Sequence, residues 1–509
     1  MATPNEKLAA ALEELRSLQA DGSRVFSSDQ LSRTARERLL KHGFAQEIMK
    51  GWLMSASPTT AAGDTTPWFA SFWEFCRRYC DDLFGSDWYL SPDQSLLIHA
   101  ENTTIPKQVI IHSPRAGNNR VELLFGTSFF ALRTKTMPAR DIEVRNGLRV
   151  YNIPAALIRV HEAFFTSHSI ETQVVARTVR DPSQLLLRLL EGGHATIAGR
   201  LAGLFRRLGQ TAIADEIAAA MKAADHDVRE VDPLAADSVV ALPAPSVPPI
   251  VARLQMLWAT ARETVLSEFP ETPGLPTNRD EYLETIDAVY KQDAYHSLSI
   301  EGYQVTPELI QQVASGAWDP VQVSSDKASH DALAARGYWL AFQRVRETVR
   351  RIVSAEADSS VVRSAHREWY RELFGPHVSA GLLSASVLAG YRNAPVYIRG
   401  SRHVPPRWEL LPDAMPALFD LIENEPEPVV RAVLGHWLFG YVHPFPDGNG
   451  RIARFVMNTL LSAGGYPWTV IRVEDRAEYL RALESASAGS DVRPFAKFVA
   501  RQMRRIADA

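Results

Sequence analysis

The run HPFPDGNGRIAR, residues 443–454, is the part of this 509-residue chain that decides its fold. The tetrapeptide DGNG at 447–450 cannot continue a helix or a strand. Its glycines permit positive φ, so that successive backbone N–H groups can point to one side and bind an anion. Apolar residues recur at helical spacing over 451–464, which predicts a helix there. A glycine-rich turn at a helix N-terminus indicates a phosphate site.

The side chains in and beside this turn suit nucleotide chemistry. His443 titrates near neutrality and can take a proton from an attacking hydroxyl. Asp447 offers the hard oxygen that Mg²⁺ prefers. Arg451 and Arg454 share one face of the first helical turn, where we expect Arg451 to clamp phosphate and Arg454 to reach the terminal phosphate of a triphosphate.

This segment resembles the Fic family signature, His-x-Phe-x-Asp/Glu-Gly-Asn-Gly-Arg-x-x-Arg. Every fixed position matches: His443, Phe445, Asp447, Gly448, Asn449, Gly450, Arg451 and Arg454. The resemblance implies an all-α Fic domain with a β-hairpin flap, and transfer of AMP from ATP, with Mg²⁺, to a Ser, Thr or Tyr hydroxyl of a target protein. Asn449 and the N–H groups around Gly448 and Gly450 would then hold the α- and β-phosphates.

A second motif precedes the first in the same helical region. Ser297-x-x-x-Glu301-Gly302 ends the helical segment HSLSIEGYQV and resembles the family's inhibitory motif. Gly302 would stop the helix at positive φ. The resemblance implies that an inhibitory helix over 283–302 places Glu301 against Arg454, which removes the cation that the terminal phosphate needs.

Two further groups of residues are expected to bind substrates. The segment NAPVYIRGSRHVPP at 393–406 predicts a short β-hairpin with a turn at Gly400-Ser401. It lies where the family carries its flap, so Val396, Tyr397 and Ile398 are expected to dock an extended segment of the target. Tyr479 stands in the region that resembles the family's base-binding helices. Two interpretations of it stay open, stacking on adenine and packing in the core.

Composition and residue order suggest a multidomain protein. A formal net charge of −4 gives no whole-molecule attraction to nucleic acid, and the chain contains no apolar run of membrane-spanning length. With Cys76 and Cys80 as its only cysteines, we expect a reduced, cytoplasmic protein. The Pro- and Ala-rich stretch 230–249 predicts a linker, which leaves a Fic domain over 250–509.

The region before the linker has mixed α+β character. Residues 1–60 have the order helix, short helix, basic helix and two-stranded wing, which is typical of winged-helix domains. Over 61–229, strand-like segments, KQVIIHS, RVELLFG, SFFALRT, DIEVRNG and LRVYN, lie between helical ones. This half resembles the antitoxin-type regulators of bacterial abortive-infection systems. Six Lys or Arg residues against three acids over 24–50 agree with binding of duplex DNA. A protein-recruiting domain is the alternative.

The favoured hypothesis is therefore a self-inhibited protein adenylyltransferase. One alternative is the reverse reaction, removal of AMP, in which Glu301 would orient a water molecule. Another is a DNA-binding regulator whose Fic unit only senses a nucleotide. The target, the nucleotide preference and the oligomeric state, including a homodimer, stay open.

Overall fold

The computed structural model describes residues 3–60, 63–235, 247–317 and 326–507. The chain divides into two compact units. The N-terminal unit comprises Met1–Pro249 and Tyr397–Val404, and the C-terminal unit comprises Ile250–Val396 and Pro405–Ala509. No helix in the described part of the chain is both long and apolar enough to cross a bilayer.

The N-terminal unit contains both helices and strands. Its helices are α1 (Pro4–Leu18), α2 (Arg33–Lys41), α3 (Thr66–Phe84), α4 (Pro92–His99), α5 (Ile153–Arg159), α6 (Ala163–Ser167), α7 (Ser169–Thr178), α8 (Ser183–Gly192), α9 (Ala195–Arg207) and α10 (Thr211–Ala223). Its strands are β1 (Val25–Ser27), β2 (Ala45–Met49), β3 (Trp52–Ser55), β4 (Tyr89–Leu90), β5 (Gln108–Ser113), β6 (Asn119–Glu122), β7 (Ser128–Arg133), β8 (Ile142–Arg145) and β9 (Leu148–Tyr151).

The first part of this unit has the element order of a winged helix. Strands β1, β3 and β2 form an antiparallel sheet in that order. Leu15 of α1 and Leu39 of α2 pack with Leu53 of β3 in one apolar cluster. The Ser32 hydroxyl accepts the N–H of Ala35 at 3.2 Å, which caps the N-terminus of α2.

The second part of the unit is built around a mixed sheet in the order β4-β5-β7-β6. Strands β5 and β7 are parallel, and Val109 lies opposite Phe129. Aromatic residues of α3, including Phe72 and Phe75, belong to the same buried cluster as these strands. Each segment that the sequence predicts to be a strand over 105–152 contains one, from β5 to β9.

The predicted linker, 230–249, is described only in part, because 236–246 lie outside the described residues. Before that gap the chain still packs on the N-terminal unit. Leu234 is buried, and the N–H of Val231 donates to the carbonyl of Gly199 at 3.2 Å.

The described residues of the C-terminal unit form helices joined by turns and loops, with no strand among them. Its helices are α11 (Pro249–Leu266), α12 (Arg279–Ile300), α13 (Pro307–Ala314), α14 (Asp326–Val353), α15 (Val362–Ser379), α16 (Leu411–Asn424), α17 (Pro428–Val442), α18 (Asn449–Ala463), α19 (Arg476–Gly489) and α20 (Arg493–Ala507). Helices α17 and α18 pack along each other and are joined by the loop 443–448, which carries the motif. Helix α18 also packs on α14 and α15, so the motif begins a helix that is anchored on several sides.

The predicted β-hairpin at 393–406 is not formed, and this expectation was wrong. The segment has a turn at 399–400 but no strand. In a hairpin turning at Gly400-Ser401, Pro395 would face Pro406. Because proline has no N–H donor, this pair cannot form the ladder hydrogen bonds that would hold the two arms together.

Candidate active site

His443 ends α17 in a left-handed backbone conformation, at φ 51° and ψ 59°. Its N–H donates to the carbonyl of Phe439 at 2.9 Å, and its Nδ1 lies 3.1 Å from the carbonyl oxygen of Gly440. Because a carbonyl can only accept, we infer that Nδ1 carries the ring proton. Nε2 is then left with a lone pair that can accept a proton from a hydroxyl.

The protonation state of His443 follows from its surroundings. Burial lowers the pKa of His443 to about 4, and the positive charge of Arg392 acts in the same direction. The carbonyl of Gly440 and the carboxylates of Glu301 and Asp447 oppose this shift. At neutral pH the imidazole is therefore uncharged, which is the form a general base needs.

The two glycines of the loop are required by close approaches. Gly448 has φ 76°, and a Cβ built on it would lie 2.7 Å from the ring of Phe374. A Cβ on Gly450 would lie 2.4 Å from Oε1 of Glu301. Any larger residue at these positions must displace either the loop or the side chains that touch it.

The side chain of Asn449 holds the loop before α18. Its side chain is buried, its Oδ1 accepts the N–H of Phe445 at 2.9 Å, and its Nδ2 donates to the carbonyl of Phe445 at 2.8 Å. The amide thus pairs the backbone groups of a buried residue that lies in no helix or strand, and the expected part of Asn449 in holding phosphate stays a prediction.

The N-terminus of α18 has the properties expected of an anion site. Gly448 precedes the helix in the left-handed region and provides no side-chain cap. The first N–H groups of a helix have no partner within it, and the helix dipole is positive at this end. Phosphate binding by the N–H groups around Gly448 and Gly450 stays a prediction.

Arg451 is almost fully buried, at 1% exposure. Its guanidinium lies 5.1 Å from the ring centres of both Tyr303 and Phe374. Its Nη2 is 3.5 Å from Oδ2 of Asp447, whereas Nε and Nη1 have no hydrogen-bond partner among the described residues. Buried donors without an acceptor are costly, so this side chain suits the phosphate-clamping role expected of it.

Arg454 is bound by the inhibitory motif. Its Nε donates to the hydroxyl of Ser297 at 2.9 Å, and its Nη2 donates to the carbonyl of Ser297 at 3.1 Å. The same Nη2 forms an ion pair with Oε1 of Glu301 at 2.7 Å. Burial acts to raise the pKa of Glu301, but the charges of Arg454 and Arg451 outweigh it and hold this pKa below its ordinary value. The expected contact between Glu301 and Arg454 is present.

The end of α12 places this carboxylate. The helix ends at Ile300, Glu301 caps it, and Gly302 follows with φ 95°. The glycine thus terminates the helix as expected, immediately after the glutamate.

Sequence reasoning missed Asp293, which lies one helical turn before Ser297 on the same face of α12. Its Oδ2 accepts the hydroxyl of Tyr338 at 2.6 Å, and both side chains are buried. Burial raises the pKa of Asp293 to about 6, while the Tyr338 hydrogen bond and the charge of Arg454 oppose the shift. The spacing of 293, 297 and 301 is the signal that could have shown this polar face.

Tyr479 lies in the core, as the packing interpretation predicts, and stacking on a nucleotide base stays a prediction. Its side chain is buried, its hydroxyl lies 2.8 Å from Nε2 of His436, and its ring lies 5.6 Å from that of Phe498. Neighbouring aromatic rings therefore surround this side chain.

The residues expected to dock a target are divided between the two units. Val396 belongs to the C-terminal unit, whereas Tyr397 and Ile398 belong to the N-terminal unit. Within that unit, the ring of Tyr397 lies 5.4 Å from the guanidinium of Arg24. The structure therefore gathers the phosphate loop and the inhibitory motif in one unit, but not the whole docking segment.

Comparison with known proteins agrees with this geometry. Residues 357–461 match the Fic/DOC family. The chain carries a Fic domain. The matched range includes the loop and first helical turn from His443 to Arg454, whereas Ser297, Glu301 and Gly302, which are expected to be inhibitory, lie before it.

Curated relatives share part of this chain. The protein adenylyltransferase Fic of Nematostella vectensis is 45% identical over 123 residues, which cover 23% of this chain and 28% of that protein. The protein adenylyltransferase fic-1 of Caenorhabditis elegans is 38% identical over 112 residues, or 22% of each chain. The chain thus spans about a quarter of the length of these relatives.

Solved Fic structures also align with the chain. Fic-1 from C. elegans (residues 134–508) is 19% identical with a TM-score of 0.37, covering 68% of this chain and 98% of that one. A Fic domain-containing signaling protein from Bacteroides thetaiotaomicron is 20% identical with a TM-score of 0.35, covering 51% and 94%.

Proposed function

We propose that this protein transfers AMP from ATP to a hydroxyl side chain of a target protein, and that Glu301 restrains the transfer by pairing with Arg454. The observation that carries the proposal is the placement of His443, whose Nδ1 faces the carbonyl of Gly440 and which a short glycine loop joins to the uncapped N-terminus of α18. The curated relatives that share this region are named protein adenylyltransferases, which supports the same reaction.

In the proposed reaction His443 acts as the general base. Its Nε2 takes the proton of the target hydroxyl while that oxygen attacks the α-phosphorus of ATP. The bond from the α-phosphorus to the bridging oxygen breaks, and pyrophosphate leaves. The first N–H groups of α18 and the Arg451 guanidinium balance the charge on the phosphates, so catalysis is mainly positioning and electrostatics.

Asp447 fits the magnesium role expected of it. Its side chain is 65% exposed, and it borders the phosphate loop through the N–H of Gly448, which donates to Oδ1 at 2.5 Å. One exposed carboxylate beside a phosphate site is the donor set that Mg²⁺ uses together with phosphate oxygens. Bound Mg²⁺ would neutralise charge on the phosphates.

The restraint rests on the competition between two anions for one cation. Arg454 is buried and already makes an ion pair with Glu301 and two hydrogen bonds to Ser297. Oε1 of Glu301 also lies beside Gly450, within the phosphate loop. A terminal phosphate near Arg454 would meet this negative charge, so we propose that ATP binds misaligned until Glu301 leaves.

The test is labelling by the Glu301→Gly variant with ATP labelled at the α-phosphate and Mg²⁺, alone and with host lysate. We expect labelling to rise about tenfold or more over the wild type, since both the competing anion and its side chain are removed. ATP labelled at the γ-phosphate separates AMP transfer from phosphate transfer, because only α-label is retained when AMP is transferred.

Two further variants are controls for the labelling by Glu301→Gly. Glu308→Ala removes an exposed glutamate in the first turn of α13 and should leave labelling at the wild-type level. The double variant Glu301→Gly/His443→Ala should bind ATP but label nothing. Release of AMP from a modified target by the wild type, without labelling by Glu301→Gly, would instead favour the reverse reaction.

The N-terminal unit supports a second proposal, binding of duplex DNA through α2. Arg33 and Lys41 of this capped helix are exposed, next to the hairpin formed by β2 and β3. Arg33 also pairs with Glu37 at 2.9 Å, which weakens the case. Binding of the full chain to duplex DNA should fall steeply with salt and fall further in Arg33→Ala/Lys41→Ala. Salt-independent or absent binding would favour a protein-recruiting domain.

A further inference from the structure

Arg392 is a buried arginine, 4% exposed, that the motif does not include. Its backbone N–H donates to the carbonyl of Pro444 at 2.8 Å, and its Nε donates to the carbonyl of His443 at 2.8 Å. Its Nη2 also lies 3.4 Å from the carbonyl oxygen of Val442. The arginine therefore contacts three consecutive residues at the point where α17 ends and the loop begins.

The same guanidinium contacts both ends of the segment 393–406. Nη1 donates to the carbonyl of Ala394 at 3.2 Å, and Nη2 donates to the carbonyl of Pro406. All of these partners are backbone carbonyls, which a planar fork of five N–H donors can satisfy together. A movement of either end of the segment therefore changes the hydrogen bonding of the residue that supports His443.

His443 needs such support because of its backbone. A non-glycine residue at φ 51° is disfavoured and persists only where its surroundings fix it. The hydrogen bond from Nε of Arg392 to the His443 carbonyl is one contact that fixes it. Misplacement of a general base by a fraction of an ångström is enough to slow proton transfer, because its lone pair must point at the hydroxyl.

We propose that Arg392 is a positioning residue that holds His443 in its base geometry and links it to both ends of the segment 393–406. This inference rests on the proposed function. The inference also adds to that function, because a displacement of Ala394 or Pro406, both in the C-terminal unit, would reach the base through this arginine. Among charged groups, Arg392 lowers the pKa of His443, whereas Glu301 and Asp447 raise it.

The test uses Arg392→Met and Arg392→Lys in the full chain carrying Glu301→Gly. We expect each to lower kcat about 10- to 100-fold while the Kd for ATP stays within about twofold, because the phosphate loop keeps its own contacts. The two variants should differ in the pKa of His443. Met removes a positive charge and raises it, whereas Lys keeps the charge and leaves it near the parent value.

The pKa of His443 is measured by NMR titration of its labelled ring, which requires no transfer activity. If Glu301→Gly transfers nothing, the proposed function fails, while the titration and the backbone shifts of His443 still decide this inference. Arg407→Met, at an exposed position just after the segment, is the control and should change neither kcat nor the pKa.

Two results would overturn the proposal. In the first, both Arg392 variants transfer at the parent rate. In the second, both lose ATP binding and thermal stability together, which would make Arg392 a general support of the fold. If Arg392→Met does not fold, Arg392→Lys alone decides: it must lower kcat with ATP binding intact, and parent-like kcat would count against the proposal.

Discussion

The carboxylate of Glu301 lies 2.7 Å from Nη2 of Arg454, and the two residues come from different helices that meet at the phosphate loop. Arg454 also donates to the hydroxyl and the carbonyl of Ser297, one turn earlier on the helix that carries the glutamate. The end of α12 therefore binds this arginine through a charge, a hydroxyl and a backbone carbonyl. A ligand that needs the arginine must compete with all three.

Substitution of Gly450 tests whether this contact stabilises the protein. In Gly450→Ala the new Cβ would lie 2.4 Å from Oε1 of Glu301, so the ion pair has to shift. We expect the free energy of unfolding to fall by about 1–2 kcal/mol, and by less than half of that in the Glu301→Gly background. Chemical denaturation of the four combinations measures the coupling.

The control for this cycle is Gly489→Ala, at the last residue of α19. A Cβ there meets no atom within 4 Å, and alanine favours helix, so this change should be neutral or stabilising. If Gly450→Ala lowers the free energy of unfolding equally with and without Glu301, the glycine is needed for a reason other than its contact with the glutamate.

The pH dependence of transfer tests the state of His443. The base must be neutral, and burial lowers its pKa to about 4. We therefore expect kcat of Glu301→Gly to be constant over about pH 6–8 and to fall below about pH 5, where the imidazole gains a proton. Loss of Glu301 lowers the pKa of His443 further, because the negative charge of Glu301 raises this pKa in the wild type.

Single-turnover rates across this pH range provide the measurement. A midpoint near the ordinary histidine value of about 6.5 would show that the ring is solvated in the active form. His443→Ala supplies the background rate at each pH, and an unchanged rate in that variant would remove His443 from the role of base.

Variants of Tyr479 test its place in the core. Tyr479→Phe leaves Nε2 of buried His436 without its partner, so we expect a loss of about 1–2 kcal/mol in the free energy of unfolding. Tyr479→Leu should cost more, yet neither should change the Kd for ATP by more than about twofold. A fall in ATP affinity of about tenfold in Tyr479→Leu alone would restore the stacking interpretation.

Much of this site was predictable because it depends on the conformational preferences of residues that are close together in the sequence. Positive φ at Gly302 and Gly448, and the helices beside them, follow from glycine chemistry and apolar spacing. The pairing of Glu301 with Arg454 joins residues that are distant in sequence. It was predictable only because each residue belongs to a motif that resembles one of the Fic family.

The remaining features depend on backbone partners that a sequence does not display. Arg392 matters through carbonyl groups, which every residue has, so no side-chain pattern indicates it. The contacts of the Asn449 amide were not predictable for the same reason, because its partners are the backbone groups of Phe445. The absence of a hairpin was foreseeable, since Pro395 and Pro406 would face each other across it.

The most direct test of the account is the intact mass of the purified protein after incubation with ATP and Mg²⁺. We expect Glu301→Gly to gain the mass of one or more AMP groups, the wild type to gain little, and Glu301→Gly/His443→Ala to gain none. A Glu301→Gly protein that binds ATP yet acquires no AMP, on itself or on any lysate protein, would contradict the claim that Glu301 restrains AMP transfer.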